Sequence, residues 1–248
     1  MKKYRWALYL ITVFSLFWVG KPEEKGFRIF TIGDSTMASK KPEVYPETGW
    51  CQVLGQYFKD GVTVHNHAVN GRSSKSFIDE GRWNIVLDSL QAGDYVFIQF
   101  GHNDQKEYDS TRYTTPYGTY AQNLEKFVTE SRRKGANPVL FTSIVRRKFD
   151  ENGKLTDTHG DYPDAVRKVA EKLDVPLIDL QELTEMYVDY LGERASKDLY
   201  LWTEPDEKFP EGRKDDTHLS VEGANTVARM VLTAMKRQEL NLAKWITY

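Results

Sequence analysis

The alternation of apolar runs along the chain predicts an α/β fold, a doubly wound, five-stranded parallel sheet flanked by helices. Short stretches rich in β-branched and aromatic residues alternate with longer stretches of helical period, the pattern of βαβ units that close right-handed. The 248 residues are 40% hydrophobic and 28% charged, which suits one domain with a substantial core. No internal repeat or low-complexity linker interrupts the alternation.

The first strand is expected at residues 28–32, where Arg-Ile-Phe-Thr-Ile runs into Gly33. Four more follow at 62–66, 95–100, 138–144 and 176–179, each bounded by Gly, Asn, Asp or Pro. Helices are expected between them at 50–58, 77–90, 117–134, 162–173 and 181–191. In the third of these, Leu124, Phe127 and Val128 recur at helical spacing with charge on the opposite face. A last helix spans 221–240, with Ser220 as its N-cap and Glu222 at its positive end. Two stretches, 146–160 and 195–215, are long for plain connections, and loops of this kind commonly shape a cleft. Open sheets of this kind bind ligands at the carboxyl ends of their strands. Residues 33–35, 68–71 and 101–103 follow the first three strands, so they fall on one rim.

The first twenty residues differ from the rest. Lys2, Lys3 and Arg5 precede an uncharged apolar run from Trp6 to Val19, which reads as a signal for export to the periplasm or beyond the cell. Trp18-Val19-Gly20 is a poor cleavage site, and an uncleaved run would anchor the chain at a membrane. The folded domain is expected over 26–248. A net charge of −2 argues against a nucleic-acid partner. Cys51 is the single cysteine, so an intramolecular disulfide and a thiolate metal cluster are both excluded.

The chemistry begins with Gly33-Asp34-Ser35-Thr36, where a serine stands at the end of a buried strand. Ser35 is a candidate nucleophile, although a serine here also suits a helix cap. Of the five histidines, His65 and His67 lie in a strand pattern and His159 in a polar loop. His218 alone has a carboxylate three residues upstream and stands where a loop enters a helix, which makes it the candidate base. Asp215 at that spacing can hold the imidazole, but Asp216 is adjacent and spacing does not separate the two cleanly. The backbone N–H groups of Ser35 and Gly71 and the side-chain amide of Asn103 are candidate oxyanion donors. Such a set needs no metal and no organic cofactor.

These residues match the four blocks of the SGNH (GDSL-type) hydrolase superfamily. Gly49-Trp50, Asn70-Gly71-Arg72-Ser73-Ser74, Glu80-Gly81-Arg82-Trp83, residues 99–104 (Gln-Phe-Gly-His-Asn-Asp), Arg146-Arg147-x-Phe149 and Asp215-Asp216-Thr217-His218 closely resemble its rhamnogalacturonan acetylesterase branch. The resemblance runs from about Phe27 to Met235. It implies a flavodoxin-like fold, removal of acetyl esters from pectic polysaccharide, a Ser35–His218–Asp215 triad and an oxyanion hole of Ser35, Gly71 and Asn103. One position departs, since Asn70 stands where that branch has a glycine before the donor glycine.

An acetylated acidic polysaccharide or oligosaccharide as partner would present carboxylates, which arginine binds through paired hydrogen bonds. Arg72, Arg82, Arg146 and Arg147 are therefore candidate substrate residues, and structural ion pairs are an equal reading of each. His102, beside Asn103, is a further candidate for the pocket wall. Two other readings compete: an esterase for acetylated xylan, a sialic acid or a small ester, and an inactive carbohydrate-binding protein. The intact Ser35, Asn103, Asp215 and His218 set speaks against the second, and the lack of an apolar lid after residue 20 speaks against a lipase.

Overall fold

A computed structural model describes residues 26–248; the N-terminal export or anchor segment lies outside the described residues. Five strands form one parallel sheet: β1 Phe27–Gly33, β2 Val62–Asn66, β3 Tyr95–Gln99, β4 Asn137–Phe141 and β5 Leu177–Ile178. Their order is β2-β1-β3-β4-β5, so the winding reverses at β1. β3 and β4 are buried along nearly their whole length, which is why they read as continuous apolar runs. β2 lies at the edge and alternates between half-buried and exposed positions.

Helices α1 Trp50–Leu54, α2 Ser74–Asp79, α3 Arg82–Ser89, α4 Ala121–Arg133, α5 Tyr162–Leu173, α6 Leu180–Ala195 and α7 Val221–Arg237 cover both faces. Successive residues of one strand point to opposite sides, so β1 feeds both cores. Phe30 and Ile32 pack with Phe77, Trp83 and Phe127 beneath α2–α5. Ile29 packs on the other side with Trp50, Leu54, Val188 and Val231, from α1, α6 and α7.

The expected strands all form, within a few residues of their ends. The helix expected over 77–90 is two helices. Ser73 caps α2 by accepting from the Ser76 N–H, so the helix begins at Ser74. Gly81 then adopts φ 70°, a left-handed conformation that a continuous helix excludes, and α3 starts anew. The stretch 117–134 opens with a wide turn at Pro116–Tyr120 before α4. The stretch 195–215 is not a plain loop. It holds β6 Tyr200–Thr203, which pairs antiparallel with β7 Arg213–Leu219 in a separate two-stranded sheet.

Candidate active site

The turn after β1 is built on Asp34. This carboxylate is fully buried; its Oδ1 accepts from the Thr36 N–H at 2.9 Å and the Thr36 hydroxyl at 2.8 Å. Its Oδ2 faces His102 Nδ1 at 3.0 Å. Burial alone would raise the Asp34 pKa, but the His102 and Thr36 contacts outweigh it and hold the group at about 2. An ionised Asp34 thus fixes the turn, and Ser35 projects at the switch point of the sheet.

Ser35 Oγ lies 2.9 Å from His218 Nε2, and His218 Nδ1 lies 2.7 Å from Asp215 Oδ2. A carboxylate accepting from Nδ1–H leaves the Nε2 lone pair to face the hydroxyl. Asp215 Oδ1 accepts from the backbone N–H groups of Thr217 and His218, at 2.8 and 2.9 Å. Burial works against ionisation of Asp215, yet the His218 hydrogen bonds and the backbone donors hold its pKa far below the ordinary carboxylate range. His218 is not at a loop-to-helix junction as expected. It stands on β7, where the pairing jumps from Leu201↔Asp215 to Tyr200↔Leu219. That bulge turns Asp215 and His218 towards each other on one strand.

Asp216, the rival carboxylate, points elsewhere. Its Oδ1 receives Arg147 Nη1 at 2.6 Å and Trp202 Nε1 at 2.8 Å. Arg147 is 3% exposed, reaches Ser196 Oγ at 3.1 Å and the Glu193 carbonyl, and lies over the rings of Trp202 and Phe149. It therefore anchors the hairpin to the end of α6, and the expectation that it meets substrate is corrected.

Asn103 follows β3 and is buried, with Nδ2 donating to the Arg72 carbonyl at 3.1 Å and one amide hydrogen left over. Its turn is fixed by Asp104, which receives the N–H groups of Gly101 and Ser74 and the hydroxyls of Ser74 and Thr114. Burial raises Asp104 to about 7 against those donors. Ser35, Gly71, Asn103, His102, Asp215 and His218 all line one groove of about 610 Å³.

Of the four candidate arginines, Arg146 alone lines that groove. Its guanidinium donates to the Thr158 and His102 carbonyls, each at 3.2 Å, and pairs with no carboxylate among the described residues. Arg82 is drawn to Glu80 at 2.5 Å and stands apart from the groove. Arg72 also pairs with Glu80, at 3.0 Å, and donates to the Asn70 carbonyl at 3.1 Å, so it braces the Asn70–Gly71 peptide. His159 was expected in a polar loop. It is buried instead, its ring 4.8 Å from that of His102, although most of the 146–160 segment is exposed or half-buried. Sequence reasoning missed Glu47, Lys106 and Arg213, which line the groove, and Lys40 beside it. No motif marks them: Arg213 meets Glu47 from 166 residues away, and Lys40 and Glu47 pair within the irregular stretch between β1 and α1.

Known proteins resemble this chain in sequence and in fold. Residues 31–225 match the GDSL-like Lipase/Acylhydrolase family. The chain is 44% identical over 221 residues to the rhamnogalacturonan acetylesterase RhgT of Bacillus subtilis (strain 168), covering 88% of this chain and 94% of that one. It is 35% identical over 218 residues to a probable rhamnogalacturonan acetylesterase, YesY, of the same organism, covering 88% and 96%. Among solved structures, an acetylxylan esterase of Geobacillus stearothermophilus superposes with a TM-score of 0.62 at 18% identity, covering 85% of this chain and 94% of that one. At that identity the likeness concerns the fold. The chain belongs to the GDSL-like lipase/acylhydrolase family, whose members are carboxylic-ester hydrolases.

Proposed function

We propose that this chain is an exported serine esterase that removes acetyl groups from an acidic pectic polysaccharide. The observation that carries it is the unbroken chain from Ser35 Oγ through His218 to Asp215, set in an open groove with cationic walls. Ser35 Oγ attacks the acetyl carbonyl carbon and passes its proton to His218 Nε2. The oxyanion is held by the N–H groups of Ser35 and Gly71 and the amide of Asn103. As the tetrahedral intermediate collapses, the carbon–oxygen bond to the sugar breaks and His218 returns the proton to the leaving oxygen. Water, deprotonated by His218, then attacks the acetyl-serine carbonyl; the bond to Ser35 Oγ breaks, His218 returns the proton to Oγ, and acetate leaves.

The acidic substrate is read from Arg146 and Lys106. Burial depresses the pKa of both, and neither forms an ion pair among the described residues. A partly desolvated cation with no direct ion-pair partner is costly, and a uronate carboxylate in the groove supplies one. The similarity to one rhamnogalacturonan acetylesterase and to a probable second supports the same substrate. Export follows from the basic and apolar pattern of the first twenty residues, and a polymer of this kind lies outside the cell.

The test is acetate release from acetylated rhamnogalacturonan and acetylated xylan in parallel, with Ser35→Ala as the blank. Faster release from the pectic polymer, abolished in the variant, is expected. Equal or xylan-biased release would overturn the uronate reading while retaining the esterase.

A further inference from the structure

We propose that Lys40 is a positioning residue for the oxyanion site, acting through the backbone of Ser35 and the side chain of Asn70. The inference rests on the reading of Ser35 as nucleophile. The Lys40 side chain is 2% exposed, and its ammonium faces three acceptors: the Ser35 carbonyl at 2.6 Å, Asn70 Oδ1 at 2.8 Å and Glu47 Oε1 at 2.8 Å. An ammonium has three donors, so all are used. Burial lowers the Lys40 pKa, and Glu47 opposes that shift.

The first two acceptors belong to the units that carry the backbone oxyanion donors. Ser35 supplies one N–H, and the Asn70–Gly71 peptide supplies the other. Arg72 holds the carbonyl of that same peptide, and the Arg72 carbonyl holds Asn103. Lys40 is thus the link that sets the nucleophile turn at a fixed distance from the other two donors. Glu47 extends the link, since its Oε2 receives Arg213 Nη2 at 3.0 Å, and Arg213 opens the strand that bears Asp215 and His218. Asn70 is the position where this chain departs from the glycine of the resembling branch, so the acceptor that Lys40 meets there is a side chain.

A displacement of about 1 Å among such groups costs roughly 10²-fold in rate. Lys40→Met is therefore expected to lower kcat on 4-nitrophenyl acetate by about tenfold or more, with KM within about twofold. Affinity for a boronic acid, which forms a tetrahedral adduct on the serine, should fall in parallel with kcat. A purely structural lysine would lower the melting temperature and leave kcat of the folded fraction and boronate affinity unchanged, and that result overturns the inference. Should Lys40→Met fail to fold, Asn70→Ala decides. It lacks the acceptor and should show the kcat loss with KM and melting temperature little changed; an unchanged kcat overturns the proposal. Ser35→Ala separates the levels. An inactive Ser35→Ala beside a fully active Lys40→Met sinks the positioning role alone, whereas an active Ser35→Ala, or a wild-type protein inert on this ester, sinks the nucleophile reading beneath it.

Discussion

Asn103 spends one amide hydrogen on the Arg72 carbonyl, and that bond aims the amide plane into the groove. An oxyanion donor held in this way acts mainly on the transition state. Asn103→Ala is therefore expected to lower kcat by roughly 10²–10³-fold with little change in KM, measured by steady-state acetate release. A loss confined to KM would remove Asn103 from that role. At this scale the sequence displayed residue types well and partners poorly. Spacing favoured Asp215 over Asp216 only moderately, and what separates them cleanly is Arg147 and Trp202, which claim Asp216. Arg147 likewise looked like a substrate residue because its partner carboxylate lies 69 residues away. Glu47 joins Lys40 within the stretch between β1 and α1 and Arg213 from 166 residues away, and no sequence pattern marks either pair.

The hairpin of β6 and β7 carries two of the three residues in the proposed triad, and its position depends on one close approach. Gly223 opens α7 against the Leu199 carbonyl, which a Cβ at residue 223 would meet at 1.8 Å. The Ser220 N–H also donates to Leu199 O, at 3.1 Å, so the start of α7 and the start of the hairpin are one joint. Gly223→Ala must push them apart. Its expected cost is about 1–3 kcal/mol, seen as a lower melting temperature, with kcat reduced as His218 shifts. An unchanged melting temperature would show that the joint yields without strain. The hairpin was not legible in the sequence. Arg213–Leu219 reads Arg-Lys-Asp-Asp-Thr-His-Leu, with no alternation of apolar and polar residues to mark a strand. The parallel strands were legible because burial on both faces forces apolar runs, as in β3 and β4. The break at Gly81 carried a signal in the glycine itself, overridden in the sequence reading by the helical period on either side.

Across the whole molecule, the winding order places the turns after β1, β2 and β3 at one crevice. That placement follows from the alternation of strands and helices, so the rim bearing Ser35, Gly71 and Asn103 could be foreseen. His218 and Asp215 could be named as candidate base and orienter, but the hairpin that carries them could not. His218 reaches Ser35 across 183 residues of chain, through a sheet separate from the one that holds the nucleophile. Family membership and geometry converge on ester hydrolysis, and the proposed uronate preference rests on Arg146 and Lys106 in the groove.

The central claim is that Ser35 is the nucleophile, and the most direct measurement is covalent capture. The folded protein would be treated with a fluorophosphonate, digested and mapped by mass spectrometry, with residual acetyl-ester turnover followed in the same sample. A single adduct on the peptide bearing Ser35, formed in step with loss of turnover and absent from Ser35→Ala, is the predicted result. An adduct on another residue, or turnover that survives in Ser35→Ala, would contradict it.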